Sequence, residues 1–152
     1  MTPSGLREKV IAERVGWIDR MLEDIRALPL DDATAFAADR RTAAAGESCL
    51  RRALEALLDL GRHLLSKGLG IGVAEYREIP ERLAAAGVLS AEEADLMGQM
   101  ARYRNRMVHF YHEVSAGELY DLLTARLGDI DRLTGALTRW IGAHPEMIDR
   151  SL

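Results

Sequence analysis

The apolar residues of this chain recur at helical intervals from one end to the other, and nowhere do they alternate. Leu119, Leu122, Leu123, Leu127, Ile130, Leu133, Leu137 and Ile141 keep gaps dominated by three and four. Only an α-helix gathers such a set on one face. Leu6, Val10, Trp17, Met21 and Ile25 place a first helix before Pro29, a residue that ends helices at or before its predecessor. A short helical piece within 30–38 has Asp31 or Asp32 as its N-cap candidate. Leu50, Leu54, Leu57, Leu58 and Leu65 line a long helix expected over 39–66, in which Gly61 marks either a close contact or the beginning of fraying.

The punctuation agrees with this pattern. Tyr76 to Ala86 reads as a helix with Pro80 in its first turn or at a kink, and Gly87 as its stop. Ser90-Ala91-Glu92-Glu93 and Ser115-Ala116-Gly117-Glu118 are both capping boxes, with Ser at the N-cap and Glu three residues on. The first opens a helix striped by Leu96, Met100, Tyr103 and Met107, and the second opens the last helix. Short connections between about five helices predict an all-α antiparallel bundle. A single helical domain is expected over 1–144, with 145–152 as a frayed C-terminal tail.

Composition narrows the function classes. The 152 residues carry a net charge of −4, so phosphate binding has to come from a local patch rather than from the whole surface. One such patch is the arginine cluster of 102–106, and Arg40, Arg41, Arg51 and Arg52 form another. The single Cys49 excludes an internal disulfide and reads as a small buried hydrophobe. No apolar run follows Met1 to Lys9, and no segment has the length of a membrane span. A cytoplasmic protein is the expectation. The glycines of 68–72 lack the preceding strand and the following Lys-Ser/Thr of a phosphate loop.

Chemistry concentrates in Arg102-Tyr103-Arg104-Asn105-Arg106-Met107-Val108-His109-Phe110-Tyr111-His112-Glu113. Arg104 offers a permanent planar cation suited to phosphate, and His109 titrates near neutral pH. Tyr111 supplies a hydroxyl. Arg104 and His109 are five positions apart, about 140° around a helix axis. For them to meet, the helix must end near Val108 or two subunits must contribute. Tyr103 falls on the apolar stripe. His109 and His112 have a spacing that zinc tolerates, with Glu113 beside them, but no HExxH pattern or further ligand completes a site. No metal and no cofactor is expected.

The string Arg104-Asn105-Arg106-Met107-Val108-His109-Phe110-Tyr111 resembles the Arg-Asn-x-x-Val-His-x-Tyr motif of the HEPN-superfamily ribonucleases, and in particular the HepT-like toxins. The likeness extends to Asp59, Arg62 and His63, to the run Tyr76 to Leu89, and to Glu113-Val114 with Glu118-Leu119-Tyr120. The resemblance implies a homodimeric, metal-independent endoribonuclease toxin. Arg104, Asn105 and His109 would be its catalytic residues, with Arg102 and Arg106 supporting RNA binding. It also implies a cognate minimal nucleotidyltransferase antitoxin that transfers AMP to Tyr111, forming a hetero-oligomer. The competing reading is a non-catalytic helical module that binds a nucleotidyltransferase. A purely structural bundle is a third.

Overall fold

The computed structural model describes residues 3–151, with Tyr111 described by its backbone alone. Among the described residues seven α-helices follow one another: α1 (Glu8–Arg26), α2 (Ala33–Ala38), α3 (Arg40–His63), α4 (Ile79–Ala85), α5 (Ala91–His109), α6 (Ala116–Ala125) and α7 (Leu127–Ala143). Among the described residues there is no strand, only an isolated parallel bridge between Leu6 and Ile148. The helical bundle is as the periodicity predicts. Among the described residues no helix is long and apolar enough to cross a membrane.

Helix α3 is the axis of the fold and packs against every other α-helix. Its C-terminal half explains why. Ala53, Leu54, Ala56, Leu57, Leu58, Leu60 and Gly61 are all buried, which leaves little of that half to solvent. Gly61 lies where α4 approaches: a Cβ there would sit 2.8 Å from Ile79 Cγ2 and 3.1 Å from Leu83 Cδ1. The glycine therefore marks a close contact, not fraying. Beyond His63 the helix widens into one π turn, Leu64–Gly68, which takes the last three residues of the helix expected over 39–66 and the two residues that follow them.

The predicted caps largely form. Asp32 accepts from the Thr34 N–H at 3.0 Å, and Asp39 accepts from the N–H of Arg41 and Thr42. Pro80 sits in the first turn of α4, and Gly87 stops that helix at φ +78°, a conformation that costs glycine nothing. Ser90 and Glu93 form a complete capping box. The second box is only half made. Ser115 accepts from the Glu118 N–H, but the Glu118 carboxylate is taken by Arg106 at 2.5 and 3.0 Å.

Two further expectations are corrected. The continuous stripe from Leu119 to Ile141 belongs to two helices, broken at Arg126 (φ −114°, ψ 1°). The Arg126 side chain holds the break by pairing with Asp129 and donating to Gln99 Oε1 on α5 at 2.9 Å. Leucines stay buried on both sides of it, so the spacing carries no trace of the break. Pro145 to Asp149 are not frayed either. After a 3-10 turn at Pro145–Met147, the Leu6 N–H donates to the Met147 carbonyl, and the Asp149 N–H donates to the Leu6 carbonyl. Leu6 precedes α1 rather than opening it, and this strap seals it in the core.

The start of α1 is fastened to the end of α3 by His63, whose Nε2 accepts from the Arg7 N–H at 3.2 Å. Burial, followed by the charges of Lys67, Arg7 and Arg14, holds the His63 imidazole below its usual pKa. The unfolded chain therefore takes up this proton at a higher pH than the folded one. The stabilisation is fully present above about pH 6.5, the unfolded value, and is lost as pH falls through the depressed folded value. Thermal melting between neutral and mildly acidic pH is expected to show this loss. A His63→Gln variant, which has no titrating ring, is expected to flatten the profile over that window.

Candidate functional site

The site is built around the C-terminal half of α5. Met97, Met100, Ala101 and Met107 are its buried side, and they fix how the helix is rotated. At 3.6 residues per turn Arg104 falls within that buried arc, between Met100 and Met97 around the axis. It is a charge placed where the apolar stripe asks for a hydrophobe. Asn105 lies at the edge of the arc, and His109 lies beyond it and is exposed. Helix α5 runs unbroken to His109 and ends at Phe110 (φ −135°, ψ 43°), within the break predicted before Ser115.

A half-buried guanidinium needs partners, since desolvating a charge without them is costly. Arg104 Nη1 donates to Asn105 Oδ1 at 3.2 Å, and its Nε lies 3.5 Å from Glu55 Oε1 on α3 without a hydrogen bond. Its guanidinium carbon packs 4.7 Å from the centre of the Tyr76 ring, and that of Arg62 packs over the same ring at the same distance. The Tyr76 hydroxyl donates to Asp59 Oδ1 at 2.7 Å. Arg62 is 3.7 Å from Asp59 and donates to the Ala74 carbonyl at 3.3 Å. Arg51, Glu55, Asp59 and Arg62 follow one another at spacings of four, four and three on α3. They make one charged stripe along that helix.

Burial first, then the hydrogen bond and charge of Asp59, push the Tyr76 phenol up to about 12, against the opposing pull of Arg104 and Arg62. Tyr76 is thus a neutral hydrogen-bond donor at physiological pH and not a nucleophile.

These groups wall a cavity of 560 Å³, lined by Arg62, the segment Ala74–Arg77, Arg104, Asn105, His109 and Phe110. A single chain brings Arg104, Asn105 and His109 to one cavity. Their 140° arc is not closed by bending α5 but spanned by the wall opposite, from α3 and the 74–77 segment. Three arginines line it, and its one carboxylate, Glu75, pairs with Arg77. Such a cavity favours an anion. Phe110 and Val108, 51% and 37% exposed, form an apolar margin beside it.

Arg102 and Arg106 point elsewhere. They lie across the helix from Arg104 and line a different, smaller depression with Gln99, Tyr103 and Glu118. The Glu118 carboxylate holds the Arg106 pKa above its usual value, and Arg106 Nη2 also donates to the Glu113 carbonyl. Tyr103 packs partly buried against the core. The Tyr111 side chain lies outside the described residues, while its backbone belongs to the 3-10 turn Tyr111–Glu113 that follows His109. Among the described residues no group of three His, Cys, Asp or Glu could hold a metal ion. Sequence reasoning assigned no role to Glu55, Asp59, Arg62 or Tyr76. The charged stripe on α3 was the available signal.

A family model described as HepT-like ribonuclease matches residues 18–137. The chain belongs to the HepT-like family. Among curated proteins none matches it. Three solved structures share the HepT-like fold with a TM-score of 0.77 each. One comes from a toxin–antitoxin complex with AMP-PNP; it is 20% identical, and the match covers 84% of this chain and 97% of that one. The second comes from the complex of the tri-AMPylated HEPN toxin of Shewanella oneidensis with its MNT antitoxin (20% identical, covering 86% and 97%). The third is YutE of Bacillus subtilis, a cytosolic protein of unknown function (18% identical, covering 93% and 94%). At these identities the likeness establishes the HepT-like fold alone.

Proposed function

We propose that this HepT-like chain is a metal-independent endoribonuclease, the toxin of a toxin–antitoxin pair. The observation that carries the reading is the convergence of Arg104, Asn105 and His109 on one arginine-lined cavity at the end of α5. In the reaction the ribose 2′-oxygen attacks the adjacent phosphorus and the P–O5′ bond breaks. The products are a 2′,3′-cyclic phosphate and a 5′-hydroxyl. One proton leaves the 2′-hydroxyl and one reaches O5′, and His109 is the group suited to move them. Arg104 stabilises the charge that builds on the phosphoryl oxygens. Asn105, through its bond to Arg104, orients that guanidinium. Arg102 and Arg106 lie outside the cavity and add to the positive field around it. The exposed Val108 and Phe110 beside the site support a homodimer that joins two such cavities.

The partner in this reading is a nucleotidyltransferase antitoxin in the same cytoplasm, and the tri-AMPylated HEPN toxin of similar fold, in complex with an MNT antitoxin, supports it. The Tyr111 oxygen attacks the α-phosphorus of ATP, releasing pyrophosphate and leaving AMP on the tyrosine. The added phosphate brings negative charge and bulk to a residue two positions beyond His109 in the chain, opposing RNA entry. Intact-mass measurement after co-expression with a neighbouring nucleotidyltransferase is expected to show whole AMP increments, absent in Tyr111→Phe. No increment on the wild-type chain contradicts the modification and leaves the nuclease reading to its own test.

A further inference from the structure

Resting on the nuclease reading above, we propose that Tyr76 is a positioning residue for the reaction: its ring, anchored through Asp59, holds the Arg104 guanidinium at the cavity. Arg104 is an arginine on the core-facing arc of α5, and hydrogen bonds alone do not fix it. Its Nε is buried with no hydrogen-bond acceptor, Glu55 stands off at 3.5 Å, and the bond to Asn105 comes from its own helix neighbour. A free arginine side chain would sample many rotamers. The Tyr76 ring supplies the missing constraint, because a guanidinium packs on an aromatic face by cation–π attraction and by planar stacking.

The ring is itself immobilised from two sides. Its hydroxyl donates to Asp59 on the central helix, and Arg62 packs over the ring while bonding the Ala74 carbonyl of the same segment. Two guanidinium groups near one ring repel each other. Glu55 and Asp59, each within 4 Å of one of them, offset that repulsion. The arrangement thus ties the reactive face of α5 to α3 through a residue of the 74–77 segment. Tyr76 remains protonated throughout and moves no proton.

The test uses the full chain, a short RNA substrate and two variants, Tyr76→Leu and Tyr76→Phe. Tyr76→Leu is expected to lower kcat by about 10- to 100-fold, the scale of a misplaced catalytic group, with KM little changed. Tyr76→Phe keeps the ring and is expected to recover most of that loss. In an Arg104→Ala background Tyr76→Leu is expected to cost nothing further, because there is no guanidinium left to place. A second readout does not depend on turnover. The Arg104 Nε–H resonance, assigned by its loss in Arg104→Ala, is expected to be resolved in the wild type and in Tyr76→Phe. In Tyr76→Leu it is expected to collapse into the exchange-averaged arginine signal. Full activity of Tyr76→Leu, an equal loss in the Arg104→Ala background, or an unchanged Nε–H signal in Tyr76→Leu would overturn the proposal. An Arg104→Ala enzyme as active as the wild type would instead overturn the site reading on which it rests.

Discussion

A His109→Ala variant is expected to fold as the wild type does and to cleave RNA about 10²- to 10⁴-fold more slowly, the usual contribution of one general acid–base group. His109 is exposed at the end of α5 and outside the buried set Met97, Met100, Ala101 and Met107, so its removal leaves the packing of the helix intact. The melting temperature is therefore expected not to move. In cells, the growth arrest caused by the wild-type chain is expected to disappear. His109→Ala also separates the nuclease from the non-catalytic binding module. A module that only holds a nucleotidyltransferase would lose nothing that a cleavage assay reads. Undiminished cleavage or toxicity from a folded His109→Ala protein would contradict the role assigned to this residue.

Arg104→Lys is expected to lose about 10²- to 10³-fold in kcat despite keeping the charge, close to the loss expected for alanine. The reason is geometric. Arg104 reaches the cavity from the buried arc of α5 as a planar fork, its guanidinium carbon over the Tyr76 ring and its Nη1 bonded to Asn105. A lysine ammonium is a compact, strongly hydrated charge that reproduces neither the stacking nor the two-pronged approach to phosphate. Rate measurements at saturating RNA check this directly, and a lysine variant within a few-fold of wild type would mean that charge alone matters. Substitution of Arg102 or Arg106 is expected to act mainly on KM and its salt dependence, since neither lines the cavity.

The helices were legible because periodicity and capping are local. Ser90 with Glu93, Asp32, Gly87 and Pro80 each do what their positions ask. What was not legible depends on partners far along the chain. Ser115 and Glu118 have the form of a full capping box, but Arg106 competes for the Glu118 carboxylate and wins it with charge. The break at Arg126 depends on Gln99 and Asp129, and no proline marks it. The C-terminal strap depends on Leu6, at the far end of the sequence.

The same division runs through the site. The motif residues could be named from their chemistry and the family likeness, and the helix end at His109 was anticipated from the capping box downstream. The 140° between Arg104 and His109 was a correct reading of the helix, yet it left open how one chain brings both to a single place. The answer lies in the opposite wall. Tyr76 and Arg62 come from other elements, and their distance from α5 in sequence hides their closeness in space. An aromatic residue in a turn and a charge pair on α3 each look ordinary until they are brought together.

The most direct measurement of the central claim is the chemistry of the cut end. Purified protein, freed of its partner and incubated with RNA in the presence of a chelator, is expected to leave 2′,3′-cyclic phosphate and 5′-hydroxyl termini, identifiable by mass. The His109→Ala protein is expected to leave the RNA intact under the same conditions. Termini bearing a 3′-hydroxyl, cleavage that stops when divalent metal is removed, or no cleavage by the wild-type protein would contradict the account.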